Sequence, residues 1–362
     1  EARDLGGQEA RTHRGKFVGI GGIYMERKVT IQDIAAIAEV SKSTVSRYLN
    51  HGYVSEEKAE RIQKAIAATG FSSNAFARRL KAKKSGMIGI VMPRVDSPTG
   101  GKLLTGLAKA FDEVGCQALF QSSFLELSRE IKNIEHLAQR GADAILVDSI
   151  GITDEHLALV KKLKEREIPV LFVGQQHEKA THIKVDDYGA GRLLGDYMRR
   201  MGHERVVFVG VTEKDRAVGV ERKDGFIEVF TRGSRGACVD FVETGFGFAA
   251  AYEKSEEILS YRPSAIVCAT DGLAFGIMRA LHENGIAVPG EVSVAGFGGY
   301  DMGAVTYPPL TTVAFDYEAL GRQAAKMLLK MLADESVESV SDFPAQLIER
   351  DSVSKVLWGS ER

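Results

Sequence analysis

The chain has 362 residues, 44% hydrophobic and 27% charged, with a formal net charge of −2. That length supports two or three domains with real cores, and that composition excludes a disordered or low-complexity chain. Three scattered cysteines, Cys116, Cys238 and Cys268, exclude a disulfide framework or a CxxC zinc site, and no apolar run approaches the roughly 20 residues of a membrane span.

The cysteines read instead as small core residues in a reducing compartment. Charge is unevenly placed: Met25 to Met87 carries 12 Lys+Arg against 6 Asp+Glu. Residues 1–24 carry 4 against 3, which leaves about −9 for everything after Met87. A basic front module joined to an acidic body points to a polyanionic partner for the front alone. With Met25 as an alternative start, residues 1–24 are expected to be a disordered extension, and "FVGIGGIYM" is short and glycine-diluted for an export signal.

The first ordered element opens on Thr30 and Asp33, a hydroxyl and a carboxylate spaced to cap a helix N-terminus. Ile31, Ile34, Ala35 and Ala38 then repeat with helical spacing. "EVS" interrupts, Ser41 can cap a second helix, and Val45 and Leu49 face inward. Lys42, Ser43, Ser46 and Arg47 are left outward. Ser55 caps a third helix with Glu56 and Glu57 at its positive end and Ala59, Ile62 and Ile66 inside. Gly70 ends it. Two helices about a tight break, braced by a third, match the helix-turn-helix plan, whose second helix enters the DNA major groove. A plain three-helix bundle with a solvated face would carry the same pattern. The following "NAFARRLKAKKSG" begins with Asn74 as a cap and sets Ala77 and Leu80 among five basic residues. So short a helix needs partners to persist. A twin segment and the DNA minor groove would supply them, with Leu80 as a wedge. A flexible charged linker would explain the lysines but not the Ala77/Leu80 spacing.

From Gly86 the pattern changes. Buried strands "MIGIVM", "QALFQS", "DAILVDS", "PVLFVG", "HIKVD", "RVVFVGV", "SAIVCAT" and "VSVAGFG" alternate with amphipathic helices such as "KLLTGLAKAFDEVG" and "DGLAFGIMRALHENG". Continuous apolar strands separated by helices indicate parallel sheets covered on both faces. So many units favour two doubly wound subdomains with a cleft beyond the strand ends. "GAGRLLG" nearly spells a dinucleotide fingerprint, but its last glycine falls one residue late, and Gly191 and Gly195 are better explained by close helix packing. No HExxH, Cys/His ligand spacing or nucleophile elbow is present, so neither an enzyme nor a metal or other cofactor is expected.

The stretches "VTIQDIAAIAEVSKSTVSRYLN", "VSEEKAERIQKAI" and "FSSNAFARRLKAKKSGMIGIVMP" resemble the head and hinge of the LacI/GalR family of bacterial transcription regulators. The likeness runs from about Val29 to the C-terminus. It implies a helix-turn-helix head at 25–73, a hinge at 74–86 and an effector-binding and dimerisation body at 87–362, similar to type I periplasmic binding proteins. The first subdomain is expected at about 87–180 plus 311–335 and the second at about 181–310 plus 336–355. By position the resemblance assigns bases to Lys42 and Ser43, bases or backbone to Arg47, and phosphates to Thr30, Ser41, Asn50 and Ser55. Thr44, Asn74 and Arg78 join this DNA-binding set, and Leu80 becomes the intercalating leucine.

In the cleft, strand ends offer Asp96, Ser97, Ser122, Asp148, Gln175 and Asp271. Arg222 matches an arginine that grips sugar hydroxyls, its fork spanning two adjacent oxygens. Asp271 matches a strand-end aspartate or asparagine, and Phe246 a stacking aromatic. Helix capping by Asp148 and Asp271 and plain core packing by Phe246 stay open beside those roles. "VGVTEKDRAVGVERKDGF", "VAGFGGYDMG" and "RYLNHGYVS" look like the sucrose-operon repressors within the family, although Gly298 or Gly299 stands where many members carry Asp. The resemblance therefore implies a cytoplasmic, nucleoid-associated homodimeric repressor of carbohydrate genes. Its partners would be a near-palindromic double-stranded operator and a small sugar or sugar-phosphate effector. A corepressor-dependent regulator, or a sugar-binding transport protein, would fit parts of the same pattern.

Overall fold

The computed structural model describes residues 30–49, 52–69, 84–233 and 236–356. The expected extension at 1–24, most of the hinge, and the candidates Asn50, Asn74, Arg78 and Leu80 lie outside the described residues. The chain divides into two compact units, Glu1–Arg78 and Arg79–Arg362.

In the front unit, α1 (Ile31–Ile37), α2 (Lys42–Leu49) and α3 (Glu56–Thr69) follow the periodicity of the sequence. Thr30 and Asp33 form a reciprocal capping box, with the Thr30 amide donating to the Asp33 carboxylate at 2.8 Å. The Thr44 amide donates to Ser41 Oγ at 3.2 Å, while Ser55 contributes its carbonyl to the Ala59 amide at 2.9 Å. Ile34, Ala35, Ala38, Val45, Ile62 and Ala65 form the buried core. Glu39 has a φ of 49° in the break between α1 and α2, and its side chain accepts from Arg61 of α3 at 2.9 Å. That pair ties the turn to the bracing helix.

The second unit carries two six-stranded sheets. The first has β1 (Met87–Met92), β2 (Gln117–Ser122), β3 (Ala144–Asp148), β4 (Val170–Val173), β5 (His182–Val185) and β11 (Val340–Phe343), in the order β11-β5-β4-β3-β1-β2. The second has β6 (Arg205–Gly210), β7 (Cys238–Glu243), β8 (Ala265–Cys268), β9 (Ser293–Gly298), β10 (Thr311–Phe315) and β12 (Ala345–Ile348), in the order β12-β10-β9-β8-β6-β7. All pairings are parallel except β10 with β12. The eight strands named above and the terminal strand "AQLIERD", also expected from the sequence and seen as β12, are present; β7, β10 and β11 are additional, because their short or half-exposed runs carry little apolar signal.

The assignment of strands to halves differs from the sequence expectation at three places. β5 pairs with β4 in the first sheet, β10 pairs with β9 in the second, and β11 pairs with β5 in the first. Partner strands, rather than continuity along the chain, decide which sheet takes a segment. The chain thus crosses between sheets after β5, after β10 and between β11 and β12.

The first two crossings are built alike. α7 (Asp187–Arg200) follows β5, and α12 (Tyr317–Leu332) follows β10. Asp186 caps the former by accepting from the Gly189 amide at 2.7 Å, and Asp316 caps the latter from Ala319 at 2.8 Å. α7 packs on α8 (Arg222–Phe230), and α12 on α4 (Pro98–Glu113). A Cβ at Gly191 would collide with the Arg222 carbonyl, and one at Gly321 with the Leu103 carbonyl. Gly195 likewise faces the Phe226 backbone, so these glycines serve close helix packing. Among the described residues the remaining α-helices of this unit are α5 (Leu127–Gln139), α6 (Asp154–Lys164), α9 (Phe248–Glu253), α10 (Ser255–Ser260) and α11 (Asp271–Glu283). Of the cysteines expected in the core, Cys268 is buried and Cys116 half-buried, but Cys238 is exposed because β7 is an edge strand.

Candidate functional site

The carboxyl ends of the two sheets face one cleft of about 820 Å³. Asp96, Ser97, Asp148, Gln175, Arg222 and Phe246 all line it. Ser122 and Asp271 do not. Ser122 Oγ accepts from the Phe124 amide at 3.3 Å, closing the turn after β2. Asp271 is fully buried, accepting from Thr312 Oγ1 at 2.6 Å and from the Tyr300 amide at 2.7 Å. Burial raises its pKa against those two hydrogen bonds. It does not cap its helix either, since Thr270 takes that place by accepting from the Leu273 amide. Asp271 therefore holds the loop that carries Tyr300, and its strand-end position alone could not reveal which way it turns.

Arg222 is 3% exposed and heavily engaged. Its Nε donates to Asp187 at 2.9 Å, Nη1 to the Ala269 carbonyl at 2.8 Å and Nη2 to Tyr317 Oη at 3.4 Å. Phe297 and Phe315 lie 5.5 and 5.1 Å from its guanidinium, in the range where an aromatic face attracts a cation. Burial is the largest influence and opposes its charge, but Asp187 and Tyr317 together outweigh it and the pKa is raised. A guanidinium has five N–H groups, so two are not used in these bonds, and the residue lines the cleft.

At the rim, Arg94 clasps Asp96 with both ends of its fork, at 2.9 and 3.0 Å, and lies 5.3 Å above the Phe246 ring. Those hydrogen bonds hold the Asp96 carboxyl below its usual range. Ser97 caps α4 through the Gly100 amide at 3.4 Å. Lys102 reaches across to Asp301 at 2.8 Å. Deeper in, Gln175 Nε2 crosses from the end of β4 to Asp215 Oδ1 at 3.0 Å. Asp215 also caps the Arg216–Glu221 turn through the Val218 amide at 3.1 Å.

Asp148 is half-buried, open only toward the cleft; burial pushes its carboxyl up to about 8, with Glu130 and Asp215 adding to the rise. Burial likewise raises Asp215 to about 6, opposed by the Val218 amide. Beneath the floor Glu130 accepts from Ser149 Oγ at 2.5 Å and sits 3.0 Å from His156 Nε2. Tyr300, its phenol pushed up to about 12 by burial and by Asp271, closes one wall. Gly298, with φ 130°, would place a Cβ 2.5 Å from the Tyr300 ring. A glycine at position 298 thus leaves room for this tyrosine.

Sequence reading missed Arg94, Lys102, Asp187, Asp215, Tyr300 and Tyr317. Asp187 and Arg94 stand at strand ends, where the rule that located Asp96 could have found them. Tyr317 starts a helix after a strand whose own signal was weak.

In the front unit Ser41, Lys42, Ser43 and Arg47 are exposed on one short helix and its cap, with Thr44 half-buried among them and Val45 buried beneath. Thr30 and Ser55 are exposed at the starts of α1 and α3. Among the described residues no helix is long and apolar enough to cross a membrane, and no group of three His, Cys, Asp or Glu could hold a metal.

A helix-turn-helix unit and a two-sheet body with a ligand-sized cleft together define a DNA-binding regulator with a ligand-binding domain. Residues 30–74 match the profile of bacterial regulatory proteins of the lacI family, and residues 196–353 match a periplasmic binding protein-like domain. The chain is 34% identical to the sucrose operon repressor of Staphylococcus xylosus over 85% of its own length and 95% of that protein's. It belongs to the LacI family of bacterial regulators. It is also 28% identical to the transcriptional regulator TreR of Salmonella typhimurium, over 85% of this chain and 95% of that one. Its fold is that of a Lac repressor dimer solved with operator and the anti-inducer ONPF, at a TM-score of 0.81 and 22% identity over 91% of this chain and 100% of that chain. These relatives are regulators of transcription, not enzymes.

Proposed function

We propose that the chain represses carbohydrate-utilisation genes by binding a near-palindromic operator as a homodimer, and that a small saccharide in the cleft controls this binding. The observation that carries the reading is the cleft itself. Its rim and floor offer hydrogen-bonding groups from both halves, two of them bridging: Lys102 to Asp301 and Gln175 to Asp215. A ligand that prefers one degree of closure must shift the balance of states, and operator DNA then responds by the same coupling. The 34% likeness to a sucrose operon repressor supports a saccharide. On this reading Lys42 and Ser43 meet bases, Arg47 meets bases or backbone, Thr44 belongs to the same DNA-binding set, and Thr30, Ser41 and Ser55 meet phosphates. Asn50, Asn74, Arg78 and Leu80 keep the roles given by the resemblance. The protein works in the bacterial cytoplasm, on the nucleoid.

The test is a fluorescence titration of duplexes from the gene's own neighbourhood, with and without sucrose and its component sugars. Specific binding near 10⁻⁸ M or tighter at physiological salt is expected, shifted at least about tenfold by one sugar. A protein that binds sugar and ignores every duplex would instead be a transport component. Operator binding indifferent to every sugar would remove the saccharide.

A further inference from the structure

We infer that the cleft takes an uncharged polyhydroxyl ligand and rejects the phosphorylated form of the same sugar, with Asp215 as the residue that discriminates. The inference rests on the saccharide reading above and narrows it.

Each cation lining the cleft is already matched by a carboxylate. Arg94 is forked onto Asp96 at 2.9 and 3.0 Å, Lys102 is held by Asp301 at 2.8 Å and Arg222 by Asp187 at 2.9 Å. Lys184, buried behind Asp187, is bound by Glu221. Asp148 and Asp215 line the cleft from opposite halves, and among the described residues neither forms an ion pair. Glu130, 1% exposed, adds a third acid under the floor beside Ser149. Burial raises both Asp148 and Asp215, and each acid adds to the rise of Asp148, so the site already resists negative charge.

A phosphate monoester carries about −1.5 to −2 at neutral pH. It would have to shed its water, find no unmatched cation, and face the Asp215 carboxylate in a low dielectric. A sugar hydroxyl meets the opposite situation. It can donate to Asp215, exchange hydrogen bonds with Asp148, and accept from the two N–H groups of Arg222 left unspent. Phe246, Phe248 and Tyr300 line the same cavity and offer apolar faces to the C–H side of a ring.

The experiment is calorimetric titration of the full chain with three matched pairs: sucrose and sucrose 6-phosphate, fructose and fructose 6-phosphate, glucose and glucose 6-phosphate. In any pair that binds, the neutral sugar should bind at least about tenfold more tightly. Asp215→Asn, checked for folding by circular dichroism, should narrow that gap, with Asp215→Ser serving if the first variant misfolds. A phosphate that binds as well as its neutral partner overturns the inference and leaves the saccharide function standing. A folded variant with the full discrimination intact overturns the assignment to Asp215. If no member of any pair binds, the saccharide reading falls and this inference falls with it.

Discussion

Asp187 and Tyr317 are the first residues of two helices that leave opposite sheets, and both hydrogen-bond the guanidinium of Arg222, at 2.9 and 3.4 Å. The cleft arginine is therefore joined to both long crossings between the halves. A ligand that engages its two remaining N–H groups touches the segments about which the halves would move. Asp186 and Asp316, one residue earlier, fix the start of each helix, so the junction is held from both sides.

Removing the acid of that junction should cost stability as well as ligand. Asp187→Ala leaves a buried guanidinium without its counter-charge, which costs about 3–5 kcal/mol. Urea unfolding should show the loss in the absence of any sugar. Unchanged stability would mean that Arg222 serves only the ligand.

The glycines of α7 make a separate prediction. Gly191→Ala would drive a methyl group into the Arg222 carbonyl, and overpacking of this kind costs about 1–3 kcal/mol. Saccharide affinity should fall with it, because Arg222 begins the helix that is pushed away. Gly101→Ala meets nothing within 4 Å on α4 and should instead gain up to about 1 kcal/mol from helix propensity. Thermal unfolding of the two variants should move in opposite directions.

Asp148 gives a pH signature. Its folded pKa of about 8 lies above the ordinary aspartate value of 3.8, so between those values the folded chain holds a proton that the unfolded chain gives up. Stability from this site is full at low pH and falls as pH rises toward 8. Asp148→Asn should therefore be more stable than the parent at pH 8, with the gap closing as pH is lowered toward 5. Denaturant midpoints at those two pH values decide it, and a constant gap would contradict the buried acid.

For the front unit, Lys42→Ala and Arg47→Ala should each weaken operator binding. A contact to phosphate would lower the salt slope by about 0.9 per charge removed and act equally on all duplexes. A base contact would act on the operator alone. Titrations at several salt concentrations, on operator and on unrelated DNA, separate the two roles.

What the sequence determined by itself was local. Helical spacing from Ile31 to Ala38, the Thr30 and Asp33 cap, the run of apolar strands and the small face of Gly191 and Gly195 each depend on neighbours within about two turns, and each appears in the structure. Asp148, Gln175 and Arg222 were placed in the cleft by the general behaviour of strand ends and by family position. Only the tertiary structure decided that β5, β10 and β11 exchange sheets, that Asp271 turns inward while Asp215 faces the cleft, and that Arg222 joins Asp187 and Tyr317. Those partners lie 35 and 95 residues from Arg222 along the chain. Their pairing depends on how two sheets close on each other, and no repeat within a single helix or strand carries that information.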